Sequence, residues 1–275
     1  FQFRISCQAS RMNLSGQDGD LFPLPGVVDG ETEVTLPQPM LKDMIAKTEF
    51  AIAQDDMREV LTGCYLEIKA GKATMVALDG YRMALVKNDV SDVESSLSAI
   101  IPGRAVGDIG KLLKDGQDDF CTLSFQQNRL HINLMGTDIY VVLVEGEYID
   151  YRRILPTQFA TVLKADLEAL RRCVDRAALI AREGSNNLGK FRMADGRLFI
   201  ESNSEIGDVH EEMDAEQEGN DLTISFNVKY MLDVVRNIEA ERVEMCFNTA
   251  VTPCVVTPEG NRDYLHLVLP VRTQA

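Results

Sequence analysis

The run Val34-Thr35-Leu36-Pro37, followed by Met40-Leu41-Lys42-Asp43-Met44-Ile45-Ala46-Lys47-Thr48-Glu49-Phe50-Ala51-Ile52-Ala53, decides how the rest of the chain reads. Leu41, Met44, Ile45, Thr48 and Ile52 recur at helical spacing, which predicts an amphipathic helix over Met40–Ala53. Alternating runs then predict strands at Cys64–Lys69, Ala73–Leu78 and Arg82–Lys87, with turn residues Ala70-Gly71-Lys72 and Asp79-Gly80 between them. A second helix is predicted at Arg104–Lys114, and strands at Cys121–Phe125, Leu130–Met135 and Ile139–Val144. The unit closes at Tyr151-Arg152-Arg153-Ile154-Leu155-Pro156.

The same plan restarts at once. Ala165–Ala181 reads as a helix with Leu167, Leu170, Val174, Ala177 and Ala178 on one face. Strands at Leu188–Met193 and Arg197–Ser202 flank the turn Ala194-Asp195-Gly196, and another follows at Asp208–Met213. A helix at Val228–Ile238 and strands at Val243–Phe247, Cys254–Thr257 and Tyr264–Pro270 finish the chain. Pro37 to Pro156 is a step of 119 residues and Thr157–Ala275 is 119 residues long, so the two units share one period. The first 32 residues read as the end of such a unit, with Ser10–Leu14 resembling Asn128–Ile132. The expectation is a fragment: the last third of one unit and two complete ones, with roughly 90 residues absent from the front.

Composition narrows the function classes. A chain of 275 residues with 45% hydrophobic and 26% charged residues has enough apolar material for two or three cores. The formal charge of −15, from 28 basic and 43 acidic residues, argues against nucleic acid only if it is spread evenly. No stretch approaches the roughly 20 apolar residues of a membrane helix, and Phe1–Ser10 has no signal-peptide pattern. Cys7, Cys64, Cys121, Cys173, Cys246 and Cys254 never form CxxC, which argues against zinc and disulfide frameworks and suits a reducing cytosol. His131, His210 and His266 all sit in strand-like runs and read as ordinary strand positions. There is no Walker loop, no GxGxxG and no GxSxG.

Four ordered motifs then become recognisable: Phe50–Arg58 (FAIAQDDMR), Ala77–Ala84 (ALDGYRMA), Asp150–Pro156 (DYRRILP) and Phe226–Asp233 (FNVKYMLD), with the ending Leu269-Pro270-Val271-Arg272. Together with the period they resemble the bacterial DNA polymerase III beta subunit family, the sliding clamps, over the whole chain. The resemblance implies an α+β DNA-clamp fold of repeated domains, each with two helices packed on antiparallel β-sheets. Residues 1–32 would be a remnant of clamp domain one, 33–156 domain two and 157–275 domain three. It also implies a head-to-tail ring of two subunits, with helices inside and sheets outside. The family is a non-catalytic processivity factor, so no catalytic residue, cofactor or metal ligand is expected, and any polymerase activity belongs to the assembly. Implied partners are duplex DNA held without sequence specificity, the replicative polymerase, the clamp loader and other proteins bearing the clamp motif. The implied location is the bacterial cytoplasm, at the nucleoid, with no membrane.

Within that frame the charge divides. The four helices, taken as Leu41–Gln54, Gly103–Asp115, Ala165–Arg182 and Asn227–Ile238, hold 11 basic and 8 acidic residues; the remainder holds 17 and 35. A net of +3 on the inner wall against −18 elsewhere would draw duplex phosphates only into a bore. The expected DNA-facing residues are Lys42, Lys47, Arg104, Lys111, Lys114, Arg171, Arg172, Arg176, Lys229 and Arg236. Each taken singly also reads as a solvated helix charge.

The resemblance further implies a peptide cleft between domains two and three that accepts a Gln-containing motif with apolar anchors. Matching positions are Leu61, Gly80, Tyr81, Arg82, Met83, Arg153, Ile154, Asn227, Tyr230, Val251, Pro253, Leu267, Leu269, Pro270, Val271 and Arg272. Leu61, Ile154 and Leu267 also read as core. Departures from the family pattern are Leu78 for a common Thr, Tyr81 for His, Ile149 for Pro, and a longer, altered C-terminal end. Ring closure would join Met12 and Leu14 to Leu179, Ile180 and the strand Arg197–Ser202 of a second copy, though this fragment is expected to close a ring poorly. Two rivals remain at this point. One is an enzyme using Asp79, Tyr81 and Arg82, which lacks paired carboxylates at motif spacing and a nearby histidine. The other is a clamp-like peptide-binding module that never encircles DNA.

Overall fold

The computed structural model describes residues 1–22, 32–54, 57–90, 96–184 and 187–272. Asp55 and Asp56 of the first motif, and the tail Thr273-Gln274-Ala275, lie outside them. Strands β1 (Gln2–Cys7) and β2 (Ser10–Ser15) form a hairpin of their own. Beyond it, each of the four α-helices among the described residues follows a strand with no intervening residue. Strand β3 (Thr32–Pro37) runs into α1 (Gln38–Ala46), and, after β4 (Gly63–Lys69), β5 (Lys72–Leu78) and β6 (Arg82–Asp89), strand β7 (Leu97–Pro102) runs into α2 (Gly103–Leu112). Strands β8 (Phe120–Gln126), β9 (Arg129–Asn133) and β10 (Asp138–Val142) complete the first unit.

The second unit repeats this. Strand β11 (Thr161–Asp166) enters α3 (Leu167–Ala181), followed by β12 (Leu188–Ala194), β13 (Arg197–Ser204), β14 (Gly207–Asp214) and the short β15 (Glu216–Gly219). Strand β16 (Leu222–Asn227) enters α4 (Val228–Asn237), and β17 (Arg242–Phe247), β18 (Cys254–Pro258) and β19 (Tyr264–Val268) end the chain. The strand–helix junctions have residue-level causes. Pro37 and Pro102 end their strands because they donate no ladder hydrogen bond. Asp166 and Asn227 cap α3 and α4 by accepting from the Ala169 and Lys229 N–H groups at 2.7 and 3.0 Å. The hairpin turns match as well: Ala70-Gly71 between β4 and β5, and Asp195-Gly196 between β12 and β13, all have positive φ.

In the first unit, β7-β4-β5-β6 form one antiparallel set and β3-β8-β9-β10 another; in the second, β16-β12-β13-β14 and β11-β17-β18-β19 correspond strand for strand. The units join where β19 pairs with β6, from Tyr264 opposite Val86 to Val268 opposite Arg82, making one nine-stranded sheet. The fold is therefore α+β with antiparallel sheets, as read from the sequence. One core runs between helices and sheets through both units, with Phe191 and Phe226 packed edge to face at 5.4 Å. A second core lies on the opposite face of β4–β6, where Leu61, Val76, Leu78, Met83, Leu85 and Leu267 are covered by Tyr148 and Tyr151.

Several sequence expectations need correction. The helix expected over Met40–Ala53 stops at Ala46, and a single 3₁₀ turn, Glu49–Ala51, follows. The Thr48 hydroxyl donates to the Met44 carbonyl at 2.8 Å, and the Phe50 carbonyl turns toward Arg82, so the apolar period continues after the helix has ended. Strands β1, β3, β7, β11, β15 and β16 have no strand counterpart in the sequence reading, and Ala165 and Asp166, read there as the start of a helix, end β11. The expected ring-edge strand Arg197–Ser202 lies in β13, which has partners on both sides; the edges of that sheet are β14, next to it, and β16. By element order, β2 corresponds to β10 rather than to β9, because each is the second strand of a hairpin and is followed by a 3₁₀ turn (Gly19–Leu21 and Tyr151–Arg153).

Candidate functional site

The turn between β5 and β6 begins with Asp79, whose Oδ1 accepts from the Tyr81 and Arg82 backbone N–H groups at 2.8 and 2.9 Å. Gly80 takes φ +92°, which glycine adopts without strain, and a Cβ there would stand 3.1 Å from Arg58 Nη2. The turn thereby presents Tyr81 at 62% exposure, with its ring stacked on Tyr230 of α4 at 6.0 Å. The C-terminal segment lies across this turn: the Leu269 N–H donates to the Tyr81 carbonyl, and the Val271 N–H to the Ser225 carbonyl of β16, each at 2.8 Å. It thus straps the first unit to the second at their seam.

Arg82 holds the seam together from beneath. Its guanidinium donates to Asp79 Oδ2 at 3.1 Å, to the Phe50 carbonyl at 2.8 Å and to Asp233 of α4, while lying 4.7 Å from the Tyr230 ring centroid. This planar fork spans both units, and only 11% of the side chain is exposed. Above it opens a cavity of about 340 Å³ lined by Arg58, Leu78, Gly80, Tyr81, Arg82, Met83, Ile149, Ile154, Pro253, Leu267 and Leu269. Aliphatic walls with a few convergent polar groups suit an apolar ligand group held in a fixed orientation.

Eight expected cleft residues line this cavity: Gly80, Tyr81, Arg82, Met83, Ile154, Pro253, Leu267 and Leu269. Tyr230 flanks it through Tyr81, and Pro270, Val271 and Arg272 continue the strap. Leu61 is corrected to core, 2% exposed beneath Leu78 and Met83. Arg153 points to solvent and pairs with Asp150 at 2.9 Å, Asn227 is used as the α4 cap, and Val251 is exposed; none of them lines the cavity. The sequence reading omits Arg58, Leu78 and Ile149 from the site. Each stands in or beside a quoted motif, and Leu78 and Ile149 already stood out as departures from the family pattern.

The residues expected to face DNA fall into three groups. Lys42, Lys47 and Lys111 pair with Asp115, Asp43 and Asp108 at 2.6, 2.7 and 3.1 Å, Arg176 with Glu211 at 2.7 Å, and Arg236 with Asp175 at 2.6 Å. The Arg176 guanidinium holds Glu211 below the usual carboxylate range. Arg171 is turned inward, donating to the Val235 and Ile238 carbonyls at the end of α4, so its expected place on the DNA face is corrected to helix capping. Arg104, Lys114 and Lys229 have no ion pair among the described residues, and Arg172 has only a 3.6 Å contact to Glu168. Arg104 and Lys229 occupy the same position, the second residue, of the repeat-equivalent helices α2 and α4. With the observed boundaries the four helices carry eight basic and five acidic residues, keeping the net at +3.

Met12 and Leu14 lie exposed on one face of β2, opposite Ile5 and Phe3 of β1. Leu179 is exposed and Ile180 half-buried on the last turn of α3, which packs on β13 and β14. His131, His210 and His266 all occupy strands. Among the described residues no group of three His, Cys, Asp or Glu could hold a metal, and no helix is long and apolar enough to cross a membrane.

Two copies of one α+β unit, fused through a continuous sheet with an apolar cleft at the seam, define a clamp-type scaffold. Comparison with known proteins agrees. Residues 35–150 match the family profile for the DNA polymerase III beta subunit, central domain, and residues 152–272 that for its C-terminal domain. The beta sliding clamp of Staphylococcus aureus is 36% identical over 275 residues, which is 99% of this chain and 73% of that protein; the Staphylococcus epidermidis clamp is 34% identical over the same span. The crystal structure of the Bacillus subtilis sliding clamp superposes with a TM-score of 0.94 at 29% identity, covering 99% of this chain and 73% of that one. A Eubacterium rectale beta subunit gives 0.92 at 29%, covering 99% and 74%. The chain belongs to the DNA polymerase III beta subunit family, the beta sliding clamps.

Proposed function

We propose that this chain belongs to a DNA sliding clamp, a non-catalytic processivity subunit that encircles duplex DNA and tethers polymerase and other partners at the seam cleft. The observation that carries this reading is the cleft itself, built where two repeat units share one sheet and floored by an arginine that bonds to both. The rival enzyme reading has no support in the site: Asp79 is consumed by its own turn and Arg82, and Arg82 by four partners. A role in bacterial DNA replication places the protein in the cytoplasm.

The bore is assigned to α1–α4 and the residues that directly follow them, where phosphate contact falls first to Arg104, Lys114, Arg172 and Lys229. These charges need break no strong internal pair to meet DNA. Ring closure is assigned to the free edges of β2 and β14 in two copies. The pairing of β19 with β6 inside the chain is the template, because β14 is the repeat equivalent of β6 and β2 of β19. The β1–β2 hairpin carries Arg4 and Arg11 without a carboxylate; of the β14 carboxylates, Glu211 is held by Arg176 and Glu212 and Asp214 by Arg197, which leaves Asp208 without an ion pair among the described residues.

Changing Arg104, Lys114, Arg172 and Lys229 together to Gln is expected to shorten residence of the loaded clamp on DNA several-fold near physiological salt. The dependence of retention on log salt should flatten by up to about four charges' worth. Melting temperature should stay within a few degrees, since none of the four makes a close internal ion pair. Retention and salt dependence equal to the unaltered protein would remove the phosphate assignment.

A further inference from the structure

A second concavity lies across one chain segment from the apolar cleft, and we propose that it receives a basic side chain flanking the anchor motif of the cleft-bound peptide. This inference rests on the cleft reading above. The segment from Ile149 to Ile154 divides the two spaces: Ile149 and Ile154 face the cleft, while Ile149, Asp150, Tyr151 and Arg152 line the second cavity. That cavity measures about 620 Å³, ample for a Lys or Arg side chain and its water.

Its construction is aromatic below and acidic above. Tyr148 and Tyr151, both buried, form the floor; the Tyr148 ring stacks on Tyr65 at 5.0 Å and 9°, and Tyr151 tilts toward Tyr65 at 6.4 Å. The covering loop is pinned to β7 by the Val144 N–H donating to the Ile100 carbonyl at 2.9 Å. Gly146 then bends it at φ +131°, where a Cβ would meet Val60 Cγ1 at 2.7 Å, so the bend between Glu145 and Glu147 depends on glycine.

The charge balance selects the occupant. Glu145, Glu147 and Asp150 line the cavity against one basic residue, Arg152, whose guanidinium is held by Glu67 and lies 4.6 Å from the Tyr151 ring. Asp150 pairs with Arg153 and Glu145 accepts from the Asn128 amide at 3.2 Å, while Glu147 is exposed with no ion pair among the described residues. The ring faces are already taken, Tyr148 by Tyr65 and Tyr151 by Arg152, so the three carboxylates attract a cation by ion pairing and repel an acid. The apolar anchors already have the cleft next door, so the polar cavity takes the flank.

The test uses fluorescein-labelled synthetic peptides with a core of Gln and apolar anchors, carrying two Lys, two Ala or two Glu at either end, titrated by anisotropy against the full chain. Lys at one end is expected to tighten binding about fivefold over Ala, and Glu to weaken it. The double variant Glu145→Gln/Glu147→Gln should abolish the Lys gain, leave Ala-flanked binding unchanged and keep its melting temperature. Glu218→Gln/Asp195→Asn, two exposed acids elsewhere on the molecule, should keep the gain. A Lys gain that survives Glu145→Gln/Glu147→Gln is general attraction to an acidic protein and overturns the proposal. An Ala-flanked core that binds without any Lys gain overturns the second cavity and leaves the cleft standing. A core that fails to bind with any flank overturns both.

Discussion

Arg82→Ala is expected to destabilise the protein by about 3 kcal/mol and to weaken peptide binding at the seam roughly tenfold. The reason is what the guanidinium leaves behind. Asp233 and the Phe50 carbonyl lose their donor and Asp79 keeps only its two backbone N–H bonds, while Asp79 and Asp233 are only 14% and 27% exposed. Uncompensated carboxylates at such sites cost more than the pair itself contributes. Removing the fork also frees Tyr230, and with it the Tyr81 stack that edges the cavity. For a chain of this size the loss corresponds to a fall in melting temperature of roughly 6–12 °C. Arg82→Lys should recover only part of it, because one ammonium cannot reproduce a planar fork. Melting curves and peptide anisotropy on both variants check this. Lost affinity at unchanged stability would make Arg82 a direct peptide contact instead of the brace beneath the site.

Acid should weaken the same seam through His266. This residue lies on β19 opposite Ala84 of β6, fully buried, between the rings of Tyr264 at 4.7 Å and Phe50 at 5.6 Å. Neither ring nitrogen has a hydrogen-bond partner among the described residues. Burial, with Arg82 close by, pushes its pKa down to about 3. The folded imidazole therefore stays neutral while the unfolded one protonates near pH 6.5. Above that pH neither state is charged and stability is unaffected. Between pH 6.5 and about 3 the unfolded chain binds the extra proton, so stability falls as pH falls. By pH 5 the expected loss is about 2 kcal/mol relative to pH 7. His266→Phe keeps the ring packing and removes the titration, so urea denaturation of the variant should show this increment missing. A variant with the same drop between pH 7 and 5 would assign acid sensitivity to the carboxylates alone.

Repetition was the most legible property of the sequence, and physical periodicity explains why. Both Gly71 and Gly196 end positive-φ turns between alternating strands, and α3 and α4 carry caps and apolar stripes that local rules recognise. What local rules could not supply was tertiary. Leu41 to Ile52 keeps helical spacing, yet α1 ends at Ala46: the Thr48 hydroxyl bonds back to the Met44 carbonyl and the Phe50 carbonyl turns away to the distant Arg82 guanidinium. Strand β7 follows residues without pattern, and its buried centre, Ala99 to Ile101, has no alternation to read. The cleft was legible as motifs but not as a surface. Nothing in the chain order distinguishes Leu61, which supports the cavity from below, from Leu78, which lines it. Likewise Arg171 and Arg172 are adjacent in the sequence, and only the position of the α4 carbonyls separates a helix cap from a residue that can meet a phosphate.

The central claim, a ring threaded by duplex, is tested most directly by topology. The protein, in the length the cell makes it, is loaded by its clamp loader and ATP onto nicked circular DNA, isolated by gel filtration, and the circle is then cut once. The expected result is retention on the intact circle and loss on linearisation, because weak phosphate contacts let a closed ring slide off an end. Equal loss from circular and linear DNA, with peptide binding at the seam intact, would contradict encirclement and leave a peptide-binding module.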